Sequence, residues 1–586
     1  MSEPLNTLGL YYDENFYTEP GMVQGAVSGG RPAGLLGRQA ACKGFLDAYL
    51  LGGAVEHLVA ILAKPTGRES LRKLIESSPS PQARPKRVDA VDESNLHALF
   101  FPTPPATVIH FPYVADTRYA WVRQSRGPDS YAISGVALTQ SSLFGVEAMR
   151  NLVTAPFEPY DRVICPSRAV MAMIRAVTGA YSEHLREQFG GNPGLRVPLE
   201  HVPHGVDAER FRPPVGDERA SIRQRLGVGD DEICVLFVGR LSLHAKANPF
   251  SLFDAVARAA RESGRKAHLV FAGWAANEGT HRAFQDGSRV FGAGVRTTLV
   301  NGTDPEYRKA VWHAADVFTL LSDSLQETFG LVVAEAMASG LPVVASDWDG
   351  CRENVVHGET GFLVPTYMVR DACPEATSRL LLGEINYDAF LGECNQTVTV
   401  DPAAASEAFR ALFADEGLRR RMGEAGRRRA LERLTWTTVI KAYDRVWQAQ
   451  EAERVERRKH REEGRRADHP VPSCYPPPDV TYAAFPTALL GGDERLIADE
   501  NARERLDWLL RMTLSNYGAA RRSIDPDALV KVLEAAREPS RLSDLAEALV
   551  GAKVPPKAAR PTLAWMLKYG LIRTERSAPV GQSRTD

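Results

Sequence analysis

The stretch Glu327-Thr328-Phe329-Gly330-Leu331-Val332-Val333-Ala334-Glu335-Ala336-Met337-Ala338-Ser339-Gly340-Leu341-Pro342-Val343-Val344-Ala345 decides how this chain is read. An apolar run, Val317 to Leu321, precedes it, and Pro342-Val343-Val344-Ala345 closes it. Short apolar runs bracketing a helical pattern read as buried parallel strands. Between them a loop runs through Glu327, a helix starts near Thr328 to Gly330, and Gly340 caps its end. Glu327 then sits at the mouth of a strand and Glu335 about two turns into the helix, on the cleft side. The backbone N–H groups around Gly330 and Leu331 face the same space, where a diphosphate is favoured. A carboxylate deep in an apolar unit needs a partner, which ribose or sugar hydroxyls can supply.

Working outward, Ile233 to Val238 and His268 to Ala272 are further strands, with a helix from Phe250 to Arg261 between them. An earlier series holds Thr107 to Phe111, Tyr131 to Ile133 and Arg162 to Cys165, preceded by a helical pattern from Arg38 to Leu51. Strands alternating with helices imply β-α-β units, so the fold class is α/β with doubly wound sheets. The break near 205–215, at Pro213-Pro214, splits two Rossmann-like domains, 1–213 and 214–450, whose strand ends face one cleft. Ala403 to Gln450 is helical and amphipathic. The charged run Glu451 to Arg466 and the prolines to Pro478 form a linker over 451–479, and 480–586 is a separate, mostly helical unit.

Bulk properties narrow the function classes. At 586 residues the length suggests about three or four domain-sized units. A formal net charge of -2 gives no reason to expect a nucleic-acid or membrane partner for the whole molecule. Met1 to Tyr17 lacks the basic patch and apolar run of a signal peptide, and no apolar stretch is long enough to span a bilayer. The cysteines (Cys42, Cys165, Cys234, Cys351, Cys373, Cys394 and Cys474) are scattered and never form a C-x-x-C pair. They are expected to be reduced core residues of a cytoplasmic enzyme without structural zinc.

At the Glu327–Glu335 segment the chain resembles the retaining, family-4 type glycosyltransferases of GT-B fold (glycosyl transferases group 1), and the likeness runs from about 200 to 450. His201-Val202-Pro203-His204-Gly205-Val206-Asp207 is similar to the family's entry turn, with His204 where Asn is usual. Phe237-Val238-Gly239-Arg240-Leu241-Ser242 is similar to its phosphate-binding strand and turn, and Lys246 to its lysine, with Ala247 where glycine is common. Gly350 to Val356 and Gly358 to Pro365 are similar to its later loop. The resemblance implies transfer of a sugar from a nucleotide-sugar donor with retention of configuration. Glu335 would hold the ribose hydroxyls and Glu327 the donor sugar. Arg240 and Lys246 would neutralise the leaving diphosphate, making a metal unnecessary. Gly239, Phe329, Gly330 and Leu331 would complete the donor pocket. No cofactor beyond the donor is implied. The acceptor (glycan, lipid, protein or small molecule) is left open, as is a sucrose- or glycogen-synthase-like reaction. A sugar epimerase lacks its acid–base set here, and a non-catalytic DNA-binding sensor is disfavoured by the presence of Glu327 and Arg240.

The first half is less specific. Gly29, Gly30 and Gly37 with Arg38 either bring a strand–helix turn to the cleft, with Gly37 and Arg38 expected to bind the donor, or form a surface loop. His110 is either a family histidine near the donor sugar or a core histidine. Leu138 stands where related chains often carry His, and Ser167 is expected to be structural. An insertion at 368–396 either covers the donor pocket or decorates the surface, and the second is expected. Arg541 to Leu549 and Pro555 to Arg573 resemble a small winged-helix unit, expected to make packing or homo-oligomer contacts rather than to bind nucleic acid.

Overall fold

A computed structural model of the chain describes residues 5–17, 27–28, 31–32, 37–76, 87–93, 106–125, 127, 129–302, 304–460, 472–512 and 525–575. Gly29, Gly30 and residues 77–86 lie outside the described residues, as does 461–471 of the expected linker. The described chain divides into two compact units, Met1–Cys474 and Tyr475–Asp586.

The first unit contains two parallel sheets. One is seven-stranded, in the order Arg87–Asp92, His57–Leu62, Thr7–Tyr12, Val108–Phe111, Ala132–Val136, Arg162–Cys165, Leu199–His201. The other is six-stranded, in the order Arg296–Asn301, Lys266–Gly273, Glu232–Val238, Val317–Leu320, Val343–Ser346, Gly361–Val364. In both, the first three strands build outward in one direction and the fourth returns to the other side of the first. This is the doubly wound Rossmann order, and it leaves a crevice at the carboxyl ends of the first and fourth strands. Both faces of each sheet are covered by helices, which is why Val108–Phe111, Ala132–Val136 and Val343–Ser346 are buried along their whole length.

The chain crosses between the two halves twice, and the crossings lie side by side: the Val206 N–H donates to the Leu434 carbonyl at 2.6 Å. Gly205 is required there, because a Cβ would come within 2.2 Å of the Trp436 ring. After the second crossing, the helix Trp436–Lys459 returns to the first sheet and buries Val439, Ile440, Tyr443 and Trp447 in that sheet's core. Trp447 Nε1 donates to Ser134 Oγ at 3.0 Å, and Gln450 Nε2 to the Ile133 carbonyl at 2.9 Å. The helix also runs beyond residue 450, where a linker was expected. Its charges are satisfied locally: Arg454, 4% exposed, pairs with Glu451 at 2.7 Å and donates to the Asp129 carbonyl at 2.5 Å.

The second unit is mainly helical. Helices Ala502–Arg511, Pro526–Ala535, Leu542–Gly551 and Pro556–Lys568 pack with a three-stranded antiparallel sheet around Leu496, Leu529, Leu545, Leu549, Leu563 and Met566. Among the described residues no helix is long and apolar enough to cross a membrane.

Candidate active site

The second sheet supplies the site through the loops that leave its first and fourth strands. After Val238 the chain turns at Gly239, at φ +150°, and Gly273 of the neighbouring strand lies so close that a side chain on it would be 2.0 Å from the Gly239 carbonyl oxygen. Arg240 follows at once and Lys246 one loop later. After Leu320 the loop Leu321–Phe329 leads to Gly330, which caps the helix Leu331–Ala338 in the left-handed conformation at φ +78°. No other residue fits at Gly330, since a Cβ would also meet Cys351 Sγ at 2.7 Å. Gly340, at φ +77°, ends the helix turn before the next strand.

Neighbouring strands thus bring together residues 81 positions apart: Lys246 Nζ bonds Glu327 Oε2 at 2.6 Å, while Glu327 Oε1 accepts the Gly330 N–H at 2.9 Å. Burial works to raise the Glu327 carboxyl. The Lys246 charge and hydrogen bond, with the Gly330 and Phe329 N–H groups, outweigh it and hold the group below the usual carboxylate range. Arg240 Nη2 donates to Gln326 Oε1 at 3.0 Å, and burial lowers the guanidinium's pKa. Such a group stays cationic at neutral pH. Asp349, at φ +43°, accepts from Ser167 Oγ of the first half at 2.5 Å, and burial pushes its carboxyl up to about 7. Ser167 also caps the helix Arg168–Phe189 through the Val170 N–H, a structural duty as expected.

Arg240, Lys246, Gln326 and Glu327 open on a cavity of about 820 Å³ between the strand ends of the two sheets. Gly239, Arg240, Lys246, Glu327, Phe329, Leu331 and Glu335 line it from one side, and Gly37, Arg38, Tyr113 and Leu138 from the other. Gly330 stands directly behind Leu331. Leu331 and Glu335, one turn apart, share the helix face toward the cavity.

His110 is not brought there. It is 2% exposed, its Nδ1 lies 3.1 Å from Ser134 Oγ, and its ring packs among Phe45, Tyr443 and Trp447. Burial lowers its pKa to about 3, and its place is in the aromatic core rather than on the cavity wall. His204, at the position usually Asn, does line the cavity. It stands edge-on to Phe329 at 5.1 Å, and burial lowers it to about 4, so the imidazole is neutral at pH 7.

The segment 368–396, expected to decorate the surface, also reaches the cavity. Its ends form a short antiparallel ladder, Thr366–Met368 with Val398–Val400, enclosing helices Ala376–Leu381 and Tyr387–Asn395. Tyr387 lines the cavity, with its hydroxyl 2.6 Å from Ser141 Oγ. Asn386 is a legible helix cap, but no local pattern marks the residue after it as a cavity group.

With this geometry in hand, comparison with known proteins is informative. Residues 218–393 match the family model "Glycosyl transferases group 1". A D-inositol 3-phosphate glycosyltransferase of Nocardia farcinica is 34% identical over 223 residues, covering 36% of this chain and 46% of that protein. Its counterpart in Rhodococcus erythropolis is 31% identical over 277 residues, covering 45% and 58%. The chain therefore spans about half the length of the curated relatives it matches. Among solved structures, sucrose-phosphate synthase from Thermosynechococcus elongatus overlaps 76% of this chain and 100% of its own, at 20% identity and a TM-score of 0.46. Residues 218–393, which hold Arg240, Lys246, Glu327 and Glu335, are a domain of the glycosyl transferases group 1 family.

Proposed function

We propose that the chain transfers a glycosyl group from a nucleoside-diphosphate sugar to an acceptor, with retention of configuration and without a metal. The observation that carries this reading is the meeting of Arg240, Lys246, the Glu327 loop and the amino end of the helix Leu331–Ala338 at the crevice of the second sheet. Two cations and the first N–H groups of a helix form a site for a diphosphate. Glu335 faces the same cavity from one turn into the helix, where it suits ribose hydroxyls. Both oxygens of Glu327 are engaged, but Lys246 and the Gly330 and Phe329 N–H groups leave the carboxylate room to accept from one sugar hydroxyl.

Little covalent chemistry falls to the protein in such a transfer. It aligns donor and acceptor and stabilises charge that grows on the leaving diphosphate, and the leaving phosphate can take the acceptor's proton. Arg240 and Lys246 fill the place a divalent cation takes elsewhere. The cavity residues of the first sheet (Gly37, Arg38, Tyr113 and Leu138) form the acceptor side. The unit Tyr475–Asp586 stands outside this chemistry as an accessory module.

The test is a thermal-shift panel of UDP, GDP and ADP with their glucose, mannose and N-acetylglucosamine derivatives. A ligand at 100 times its dissociation constant adds about 2.7 kcal/mol. The stabilising donor is then incubated with candidate acceptors, D-inositol 3-phosphate first because the relatives described above are D-inositol 3-phosphate glycosyltransferases. Released nucleoside diphosphate is measured, and the anomeric configuration of the product is read by NMR. No stabilisation by any member of the panel, or inversion in the product, overturns the reading.

A further inference from the structure

The segment Thr366–Val400 belongs to neither sheet, yet it grips both loops that carry the site. At one end of its second helix, Asn395 Nδ2 donates to the His244 carbonyl at 2.6 Å, and Asn395 Oδ1 accepts the Leu325 N–H at 3.2 Å. The first contact holds the Arg240–Lys246 loop and the second holds the loop of Glu327. At the other end stands Tyr387. Gln326 Nε2 donates to the Tyr387 hydroxyl at 3.1 Å, and Gln326 Oε1 accepts from Arg240 Nη2 at 3.0 Å. The Tyr387 hydroxyl, whose oxygen accepts from Gln326, also bonds Ser141 Oγ, 2.6 Å away on the first half of the molecule.

The four groups form a relay, a chain of hydrogen bonds: Arg240 donates to Gln326, Gln326 donates to Tyr387, and the Tyr387 and Ser141 hydroxyls bond each other, either of them able to donate. An amide holds its orientation only while both of its ends are matched. Without the hydroxyl, the Gln326 NH2 loses its acceptor and the amide is free to turn, offering N–H groups to a guanidinium that has only donors. Ser141 comes from the opposite side of the cleft, so the relay is complete only when the two halves are apposed as they are here.

We propose that Tyr387 is a positioning residue: through Gln326 it fixes the guanidinium of Arg240 for the leaving diphosphate, and through Ser141 it makes that fixation depend on closure of the cleft. The proposal rests on the glycosyl-transfer reading above. It assigns a role in the reaction to a segment outside the two sheets. Donors aimed at developing charge help most when they need no reorganisation at the moment of reaction, and that is what the relay supplies.

The experiment is steady-state kinetics of the full chain with the donor and acceptor that give turnover, comparing Tyr387→Phe, Gln326→Ala and the double variant. Tyr387→Phe should lower kcat roughly 10- to 100-fold, the scale of a misaligned catalytic group, with the donor KM within about threefold. In the Gln326→Ala background the same substitution should change kcat less than about twofold, because the relay is already cut. Ser141→Ala should reproduce a smaller part of the loss. A wild-type kcat for Tyr387→Phe, or an equal fall in both backgrounds, overturns the proposal while leaving the glycosyl-transfer reading intact. A wild-type chain that turns over no donor of the panel removes that reading, and the proposal with it.

Discussion

Replacing Lys246 by Met keeps the aliphatic stem and removes the charge that faces Glu327. The pair is 2.6 Å apart, with the two side chains 20% and 12% exposed. The bare attraction at that distance is about 6 kcal/mol for an effective dielectric of 20. Much of this offsets desolvation, so breaking such a pair costs about 3 kcal/mol, most of it from the carboxylate left behind. The pH dependence identifies the cause. In the wild type Glu327 lies below its unfolded value, so its contribution is present above that value and is lost as pH falls through the folded pKa. In Lys246→Met two of the lowering influences are gone, and burial, the largest influence, then raises the carboxyl above its unfolded value. The sign reverses: the variant is least impaired below the unfolded pKa and loses stability as pH rises through the folded one.

Scanning calorimetry between pH 4 and 8 should therefore show the deficit largest at pH 8. It should shrink toward pH 4 to about 1 kcal/mol, the worth of the lost hydrogen bond. Adding Glu327→Gln should restore most of the loss at pH 8, since the amide still accepts from the Gly330 N–H and carries no charge. A deficit that does not vary with pH, or a double variant no better than Lys246→Met, would refute the account of Glu327 as a buried carboxylate held by Lys246.

Three further outcomes are expected. Arg240→Ala should lower kcat/KM by about 2–4 kcal/mol of transition-state stabilisation, and added EDTA should leave the wild-type rate unchanged; a magnesium requirement in initial-rate assays would contradict the metal-free reading. Asp349→Asn should raise the melting temperature at pH 8 and converge with the wild type near pH 4. A carboxyl raised to about 7 favours the fold below its unfolded pKa and loses that contribution as pH rises, whereas Asn can still accept from Ser167; unchanged melting at pH 8 would count against it. A chain ending at Cys474 should stay folded and bind the same nucleotide by calorimetry, because the division between compact units falls there and the helix Trp436–Lys459 is retained.

The sequence reveals most of the second sheet because its strands are buried on both faces and read as unbroken apolar runs, as 233–238 and 343–345 do. It does not reveal Arg296–Asn301, an edge strand of half-exposed residues that include two threonines. Nor does it reveal Thr7–Tyr12, where Gly9 and two tyrosines break the aliphatic pattern although the strand lies at the centre of its sheet. His110 was ambiguous for another reason. Alternate residues of a strand face opposite sides: Ile109 and Phe111 enter one core, while Val108 enters the other, on the side where His110 meets Trp447. What covers that side is a helix hundreds of positions later, and no local pattern can supply it.

The same distinction separates the legible from the hidden parts of the site. Lys246 and Glu327 are far apart in the chain, yet the doubly wound strand order places the loops after the first and fourth strands at a single crevice. The fold class brings those two loops together, and the family resemblance marks which residues on them to look at. Tyr387 is subject to no such rule. It rides on a segment that the sheet does not need, and its distance from Gln326 depends on how Asn395 anchors the far end of a nine-residue helix. A general rule of topology can locate the parts of a site that the fold itself requires. The parts added to the fold have to be found from contacts, and here those contacts lead from an inserted tyrosine to the arginine proposed to face the leaving diphosphate.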